Sequence, residues 1–235
     1  MFKIYFYFFL KYSIIILLGA DMLSIKNLYL KFTKEFYALE DINIDVEAGE
    51  SVAFVGELNS GKTTLLRVIA KLEDFDSGEV YINSIPLKKV DYKTDLSLGY
   101  VPYCPVFLEN KTVYENFKYI LHKKGVKPAE AEKMINNAII DFSLERIRDE
   151  KIKNIRKEDK YVLSLIRLSF RKLDMLLVDN IFDEISDVYI DAILSLIKRL
   201  KDNGTTLILA CTRPEIAEKI CKRKIYFEHG KIVGD

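Results

Sequence analysis

One eight-residue segment carries the clearest chemistry in the sequence. Residues 56–63 read Gly-Glu-Leu-Asn-Ser-Gly-Lys-Thr, which fits the pattern G-x-x-x-x-G-K-[ST]. In this pattern the glycines let backbone N–H groups close around phosphate oxygens, Lys62 reaches the β- and γ-phosphates, and Thr63 offers its hydroxyl to Mg²⁺. The residues predicted to bind a nucleotide's phosphates are Gly56, Glu57, Leu58, Asn59, Ser60, Gly61, Lys62, Thr63 and Thr64.

A second candidate is a carboxylate at the end of an apolar run. Residues 175–179 read Met-Leu-Leu-Val-Asp, which is typical of a buried strand that carries an Asp to its carboxyl end. An Asp in that place also occurs as an ordinary turn cap. Together with the phosphate loop, however, it favours a metal role, in which Asp179 and Thr63 hold Mg²⁺ directly or through water.

The elements around these residues alternate between strands and helices. A short β-rich run at 51–55 precedes the phosphate loop, and a helix is predicted over 62–72. Alternating strands and helices predict an α/β fold with a mainly parallel sheet. The other predicted strands are 42–47, 79–82, 175–179, 205–210 and 224–227, and the other predicted helices include 112–124 and 128–142.

Composition excludes several classes of protein. The chain has 36 Lys and Arg against 35 Asp and Glu, so bulk charge does not favour a nucleic-acid binder. A hydrophobic share of 49% and a charged share of 30% exclude an intrinsically disordered chain. The 3 cysteines lack metal-ligand spacing, which favours a reduced, cytosolic protein.

Residues 1–21 differ from the rest of the chain. The first 20 residues carry only Lys3 and Lys11 as charges, so they are nearly apolar enough for a membrane-associating helix or a signal peptide. A buried extension is another interpretation. A third is that Met22 is the true start and that residues 1–21 are a start-site artefact. We favour the third, because everything after Met22 is typical of a nucleotide-binding domain.

Together these motifs resemble the ATP-binding cassette family, the nucleotide-binding subunits of transporters. The resemblance covers one cassette over residues 22–235. It implies the P-loop NTPase fold, with a mainly parallel core sheet, an antiparallel β subdomain and a helical subdomain at about 104–170. It also implies ATP and Mg²⁺ as cofactors. Segments that look like family landmarks are 23–28, 37–50, 76–80, 99–102, 112–116 and 228–233.

An aromatic residue of this family stacks on adenine, and the resemblance places Phe32 there. Tyr37 is a less favoured substitute. An ordinary core aromatic is an equally good interpretation of Phe32, so the sequence leaves both roles open.

Three residues depart from the family's catalytic set. A Glu that acts as general base follows the metal-binding Asp in the family, and here it is Asn180. The family's Gln that contacts Mg²⁺ and the attacking water is Tyr103, and its switch His is Thr212. An Asn cannot accept a proton at physiological pH, and loss of a positioned base costs on the order of 10²–10⁴ in rate. These changes predict that Mg-ATP binds and is hydrolysed weakly or not at all.

The family's signature, Leu-Ser-Gly-Gly-Gln, also departs. Alignment back from Asp179 places residues 155–159, Ile-Arg-Lys-Glu-Asp, at this position. The glycines that let backbone approach a partner subunit's γ-phosphate are gone. The family's Asp in the loop after the metal-binding Asp aligns with Ser186.

The resemblance also implies partners and a location. The expected partners are a second cassette, as a homo- or heterodimer, and a membrane permease that docks near 104–124, which places the chain in the cytoplasm at the inner face of the membrane. No nucleic-acid partner is expected. A pseudo-ATPase that regulates or scaffolds an intact cassette is the alternative function. A DNA-associated cassette is disfavoured because a coiled-coil insertion and a basic surplus are lacking, and a small-molecule kinase does not explain residues 37–50.

Overall fold

The computed structural model describes residues 21–235 apart from Lys34, Glu184 and Asn203. The predictions made for residues 1–21 therefore lie outside the described residues, with the exception of Asp21, which begins the first strand. The strands are β1 (Asp21–Lys31), β2 (Tyr37–Glu47), β3 (Ser51–Val55), β4 (Ser77–Ile82), β5 (Ile85–Pro86), β6 (Leu98–Val101), β7 (Met175–Asp179), β8 (Thr206–Cys211), β9 (Arg223–Glu228) and β10 (Lys231–Gly234). The helices are α1 (Lys62–Ile69), α2 (Val113–Lys123), α3 (Pro128–Asp141), α4 (Lys157–Ser169), α5 (Asp187–Lys201) and α6 (Pro214–Ala217).

The main sheet has the order β10-β9-β3-β8-β7-β6, and all its neighbouring strands are parallel except β10 with β9. Every residue of β3, β7 and β8 is buried. Helices cover both faces of such a sheet, so its central strands are continuous apolar runs instead of alternating ones. The predicted α/β fold with a mainly parallel core is confirmed.

The second sheet is antiparallel, with the order β2-β1-β4-β5. In β2, Ile42, Ile44 and Val46 are buried and alternate with exposed residues. The side-chain period of a strand is two, so this alternation gives the sheet one core face and one solvent face. The buried face packs against α1 and the main sheet in one apolar cluster.

The helical subdomain is built from α2, α3 and α4 around a separate apolar cluster. At its start, the Thr112 hydroxyl accepts from the Glu115 amide, and the Glu115 carboxylate accepts from the Thr112 amide, which together form a capping box. The Asn116 side chain, 3% exposed, bonds both backbone groups of Leu108 and fixes the loop ahead of α2. None of the described helices is long and apolar enough to cross a membrane.

Helix α1 ends at Ile69, earlier than the predicted Leu72. Lys71 adopts a left-handed backbone with φ of 58°, and its amide bonds the Val68 carbonyl while the Leu72 amide bonds the Arg67 carbonyl. This pair of bonds is a Schellman motif, which usually has Gly at the left-handed position. Because a lysine fills that position, no glycine in the sequence marks the end of the helix.

Candidate functional site

The candidate site lies at the carboxyl edge of the main sheet. Strands β3, β6, β7 and β8 run parallel, so the segments that follow them meet at one edge. These segments hold the phosphate loop after β3, Tyr103 after β6, Asn180 after β7 and Thr212 after β8. Strand order alone therefore brings four separately predicted features to one place.

The phosphate loop requires its glycines for two different reasons. A Cβ on Gly56 would lie 2.2 Å from the carbonyl oxygen of Phe227 in β9, so no side chain fits there. Gly61 has a φ of 103°, in the region that favours glycine, and it precedes the first turn of α1. The amides of that turn have no partner within the helix and are available to an anion.

We expect Gly56→Ala to destabilise the fold by about 1–3 kcal/mol, because the strand carrying Phe227 must move to admit a methyl group. Urea unfolding of both proteins measures the change in the free energy of unfolding. Gly234→Ala is the matched control, since its Cβ would lie 3.5 Å from the Tyr226 ring at ordinary contact distance. Equal stabilities of the two variants would contradict the steric argument.

Lys62 is only 2% exposed. Its ammonium group donates to the carbonyl oxygens of Gly56 and Glu57, at 2.7 and 2.8 Å, and to the Ser60 hydroxyl at 3.0 Å. Burial lowers the pKa of Lys62, and nearby carboxylates oppose that shift. The amine therefore lies inside the loop. A phosphate there would be a charged acceptor for Lys62 in place of the neutral oxygens that it now bonds.

Asp179 and Thr63 are in direct contact. The Thr63 hydroxyl donates to Asp179 Oδ1 at 2.7 Å, and the Tyr100 hydroxyl donates to Asp179 Oδ2 at 3.1 Å. Burial raises the pKa of Asp179, against the effect of these two bonds. A carboxylate and a hydroxyl oxygen are the hard ligands that Mg²⁺ prefers, so the pair fits that ion. Tyr100 was not predicted as a site residue.

Asn180, which is predicted to stand where the family has its general base, follows β7. Its backbone is left-handed, with φ of 47°, which Asn tolerates better than most residues. Its Nδ2 lies 3.2 Å from both Thr63 Oγ1 and Asp179 Oδ1. Its Oδ1 is buried, and none of the described residues donates a hydrogen bond to it. A neutral amide without a basic atom thus lies beside Thr63 and Asp179, the two predicted metal ligands.

The Thr212 side chain is bonded to a carboxylate. Its hydroxyl donates to Asp183 Oδ1 at 2.6 Å. Asp183 was missed by the sequence reasoning, although an acidic side chain only a few residues after Asp179 was a usable signal.

The open part of the site is a cleft of about 640 Å³, within the usual size range of ligand pockets. Phe32 lies at its edge, 60% exposed, and stacks on Phe36 with centroids 6.3 Å apart and planes 15° apart. Tyr37 packs edge-on against Tyr29 instead. Phe32 borders the cleft and Tyr37 does not, and the contact of Phe32 with adenine stays a prediction. Phe36 is a further ring at the cleft that sequence reasoning missed. The lining residues are Phe32, Phe36, Ala38, Leu58, Asn59, Ser60, Gly61, Lys62, Thr63, Thr64, Tyr103 and Asn180.

The segment predicted to align with the family's signature, residues 155–159, leads into helix α4. Arg156 is the residue before α4, and no side chain caps the helix there. The Lys157 ammonium lies 4.9 Å from the centroid of the Tyr103 ring. Asp159 accepts a bond from the Tyr189 hydroxyl at 3.1 Å. Lys157 and Asp159 thus have side-chain partners of their own, and the alignment of this segment with the signature stays a prediction.

A parallel sheet with a phosphate loop at its carboxyl edge, flanked by antiparallel and helical subdomains, defines a P-loop nucleotide-binding domain. The family model described as ABC transporter matches residues 39–183, more than half of the chain. The chain belongs to this family, whose ATP-binding subunits bind ATP, generally with Mg²⁺.

Curated relatives cover most of the chain. It is 29% identical over 221 residues to the methionine import ATP-binding protein MetN of Clostridioides difficile, covering 91% of this chain and 68% of the relative. It is 25% identical to the uncharacterized ABC transporter ATP-binding protein YthP of Bacillus subtilis, covering 86% and 80%. It spans only 59% of the length of MetN from Legionella pneumophila, at 29% identity.

Solved structures share the fold. The ATP-binding cassette MJ0796, solved as a dimer with ADP and Pi, superposes with a TM-score of 0.79 at 24% identity, covering 90% of this chain and 97% of that one. The cbiO1 subunit from Clostridium perfringens, part of the transporter complex cbiONQ, gives 0.76 at 20% identity, covering 91% and 87%.

Proposed function

We propose that this protein is the ATP-binding subunit of an ABC transporter that binds Mg-ATP through residues 56–64 and hydrolyses it slowly or not at all. The observation that carries the proposal is the contact of the Asn180 amide with Thr63 and Asp179, each at 3.2 Å. The place next to the metal ligands, where a base must stand, is filled by a group that cannot take a proton.

The proposed subunit works as a dimer with a second cassette. Each ATP then lies between one chain's phosphate loop and the other chain's signature segment. In a homodimer both composite sites combine Asn180 with the charged segment 155–159. In a heterodimer with an intact cassette, one site combines this chain's Asn180 with an intact signature. The other site combines an intact phosphate loop with this chain's segment 155–159, so both sites remain impaired.

A permease contact is supported by a surface groove of about 430 Å³ between α2 and α3. Apolar groups line it, including Leu108 and Tyr119, which are 41% and 44% exposed. Lys111, Lys118 and Glu132 also line it. We propose that a cytoplasmic helix of a membrane permease docks here, which places the subunit at the inner face of the membrane. Relatives named for import include MetN and the sulfate/thiosulfate protein CysA, which favours an import system.

Binding and turnover, measured on the same preparation, test the proposal. We expect Mg-ATP to bind in a titration and ATP turnover to stay below about 1 s⁻¹, the low end of working enzymes. Malachite-green phosphate release, or single-turnover quench for slower rates, measures hydrolysis. A turnover above that value would contradict impaired hydrolysis, and no binding of any nucleotide would contradict the phosphate-loop role.

A further inference from the structure

A tyrosine hydroxyl holds one oxygen of the carboxylate that is predicted to bind the metal. The Tyr100 hydroxyl donates to Asp179 Oδ2 at 3.1 Å, while the Thr63 hydroxyl donates to the other oxygen, Oδ1, at 2.7 Å. Asp179 is only 1% exposed, so its orientation is set by protein groups more than by water. The phosphate loop and the metal pair leave the contact with Tyr100 unexplained.

The main sheet brings Tyr100 to this carboxylate from the neighbouring strand. Strands β6 and β7 are parallel, with Tyr100 opposite Leu177, and Asp179 lies two residues further along β7. Side chains alternate between the two faces of a strand, so Leu177 and Asp179 point to the same face. Tyr100 and Leu177 pack in the apolar cluster that also holds the buried residues of α1, the helix of Thr63. The two donors therefore reach Asp179 on one face of the sheet, from β6 and from α1.

The two donors differ in their relation to the site. Thr63 lines the cleft and is a predicted ligand of Mg²⁺, whereas Tyr100 is not among the described residues that line it. Tyr100 bonds the oxygen of Asp179 that Thr63 does not bond. Carboxylates that bind metal ions are themselves hydrogen-bonded by residues that do not touch the ion, and these residues orient the ligand. Tyr100 has the position of such a residue.

We propose that Tyr100 is a positioning residue that holds the Asp179 carboxylate in the orientation that binds Mg²⁺ together with ATP. The inference rests on the proposed function, because it requires Mg-ATP to bind at the phosphate loop. With Oδ2 held by Tyr100, rotation of the carboxylate is restricted and Oδ1 stays beside Thr63. Without the hydroxyl, Oδ2 is a buried acceptor that has lost this donor, so the carboxylate turns to regain a partner and Oδ1 leaves Thr63.

Tyr100→Phe tests this with equilibrium binding. The substitution keeps the ring in the apolar cluster and removes only the hydroxyl. We expect the factor by which Mg²⁺ tightens ATP binding to fall by about 10-fold, the low end for loss of a group that orients a metal ligand. The low end applies because Thr63 and the Asn180 amide still contact Oδ1. Fluorescent-nucleotide competition measures the Kd of ATP in Mg²⁺ and in EDTA, and the value in EDTA should change by less than about 3-fold.

Tyr92→Phe is the matched control. Tyr92 is half-buried, like Tyr100, but its hydroxyl donates to the carbonyl oxygen of Ile69, at the end of α1 remote from Thr63. This variant removes the same group away from the metal ligands, so both Kd values should stay within about 3-fold of wild type. Thermal unfolding measures the stability that each variant loses. A hydroxyl with a merely structural role lowers the melting temperature without changing the effect of Mg²⁺ on ATP binding.

The outcomes separate the inference from the proposed function. If wild type binds no ATP in either buffer, the phosphate-loop role fails and the inference fails with it. If wild type binds ATP equally well in Mg²⁺ and in EDTA, the metal role of Asp179 fails, and the inference is overturned. If Tyr100→Phe weakens binding equally in both buffers, or only lowers the melting temperature, the inference is overturned while the proposed function stands. A loss confined to Mg-ATP that Tyr92→Phe does not reproduce supports it.

Discussion

Asn180→Glu is expected to raise the rate of ATP hydrolysis by about 10²-fold, the lower end of what a positioned general base contributes. The side chain at position 180 already lies beside Thr63 and Asp179, so a carboxylate there has short reach to a water near the γ-phosphate. The upper end of the range is not expected, because Tyr103 and Thr212 are also proposed to replace two other catalytic groups of the family. Single-turnover hydrolysis of Mg-ATP by both proteins measures the gain.

Asn180→Gln is the matched control for this variant. It has the length of Glu and shares the cost of a left-handed backbone at this position, where φ is 47°. It lacks a basic oxygen, so it should hydrolyse ATP no faster than wild type. If Glu and Gln give the same rate, the missing base is not what limits hydrolysis, and the signature segment 155–159 or Thr212 becomes the primary block.

The main sheet and its strands could be predicted because each is a short apolar run with turns on either side. The runs at 51–55 and 175–179 became β3 and β7 with the predicted bounds. Strands buried on both faces leave this signature whatever their neighbours are. The end of α1 could not be predicted in the same way. Lys71 adopts a left-handed backbone conformation there, and nothing about a lysine indicates it.

Much of the site could also be read in advance, since a phosphate loop needs fixed residue types at fixed spacing. Lys62, Thr63 and Asp179 were named from the sequence, and the fold brings them to one edge of the sheet. Their roles in binding nucleotide and metal stay predictions. The contacts of Tyr100 and Asp183 could not be read, because each arises between segments that are distant in sequence and meet only when the parallel strands align.

Residues at positions predicted to depart from the family pattern make side-chain contacts of their own. The Thr212 hydroxyl is bonded to the Asp183 carboxylate, and the Lys157 ammonium lies over the Tyr103 ring. A back-substitution at one position leaves these new interactions in place. We infer that full activity would require several changes together, which is why the gain expected from Asn180→Glu alone is limited.

Lys62→Ala is expected to abolish measurable nucleotide binding, with at least about a 100-fold loss of affinity for Mg-ATP. Charge-assisted hydrogen bonds contribute about 1.5–3 kcal/mol each, and Lys62 would make such bonds to two phosphates. The substitution also leaves the carbonyl oxygens of Gly56 and Glu57 without their lysine donor, so the loop loses part of its shape. Titration with Mg-ATP and with Mg-ADP measures the loss.

Lys71→Ala is the matched control, because it removes a lysine that bonds a backbone carbonyl, that of Val90 at 2.9 Å, away from the cleft. It should leave both affinities unchanged. Thermal unfolding of the two variants distinguishes lost binding from lost folding, since a folded Lys62→Ala protein still shows a cooperative transition. Unchanged affinity in a folded Lys62→Ala protein would refute the phosphate-loop assignment. The role given to Asn180 would fail with it, since that role depends on where the γ-phosphate lies.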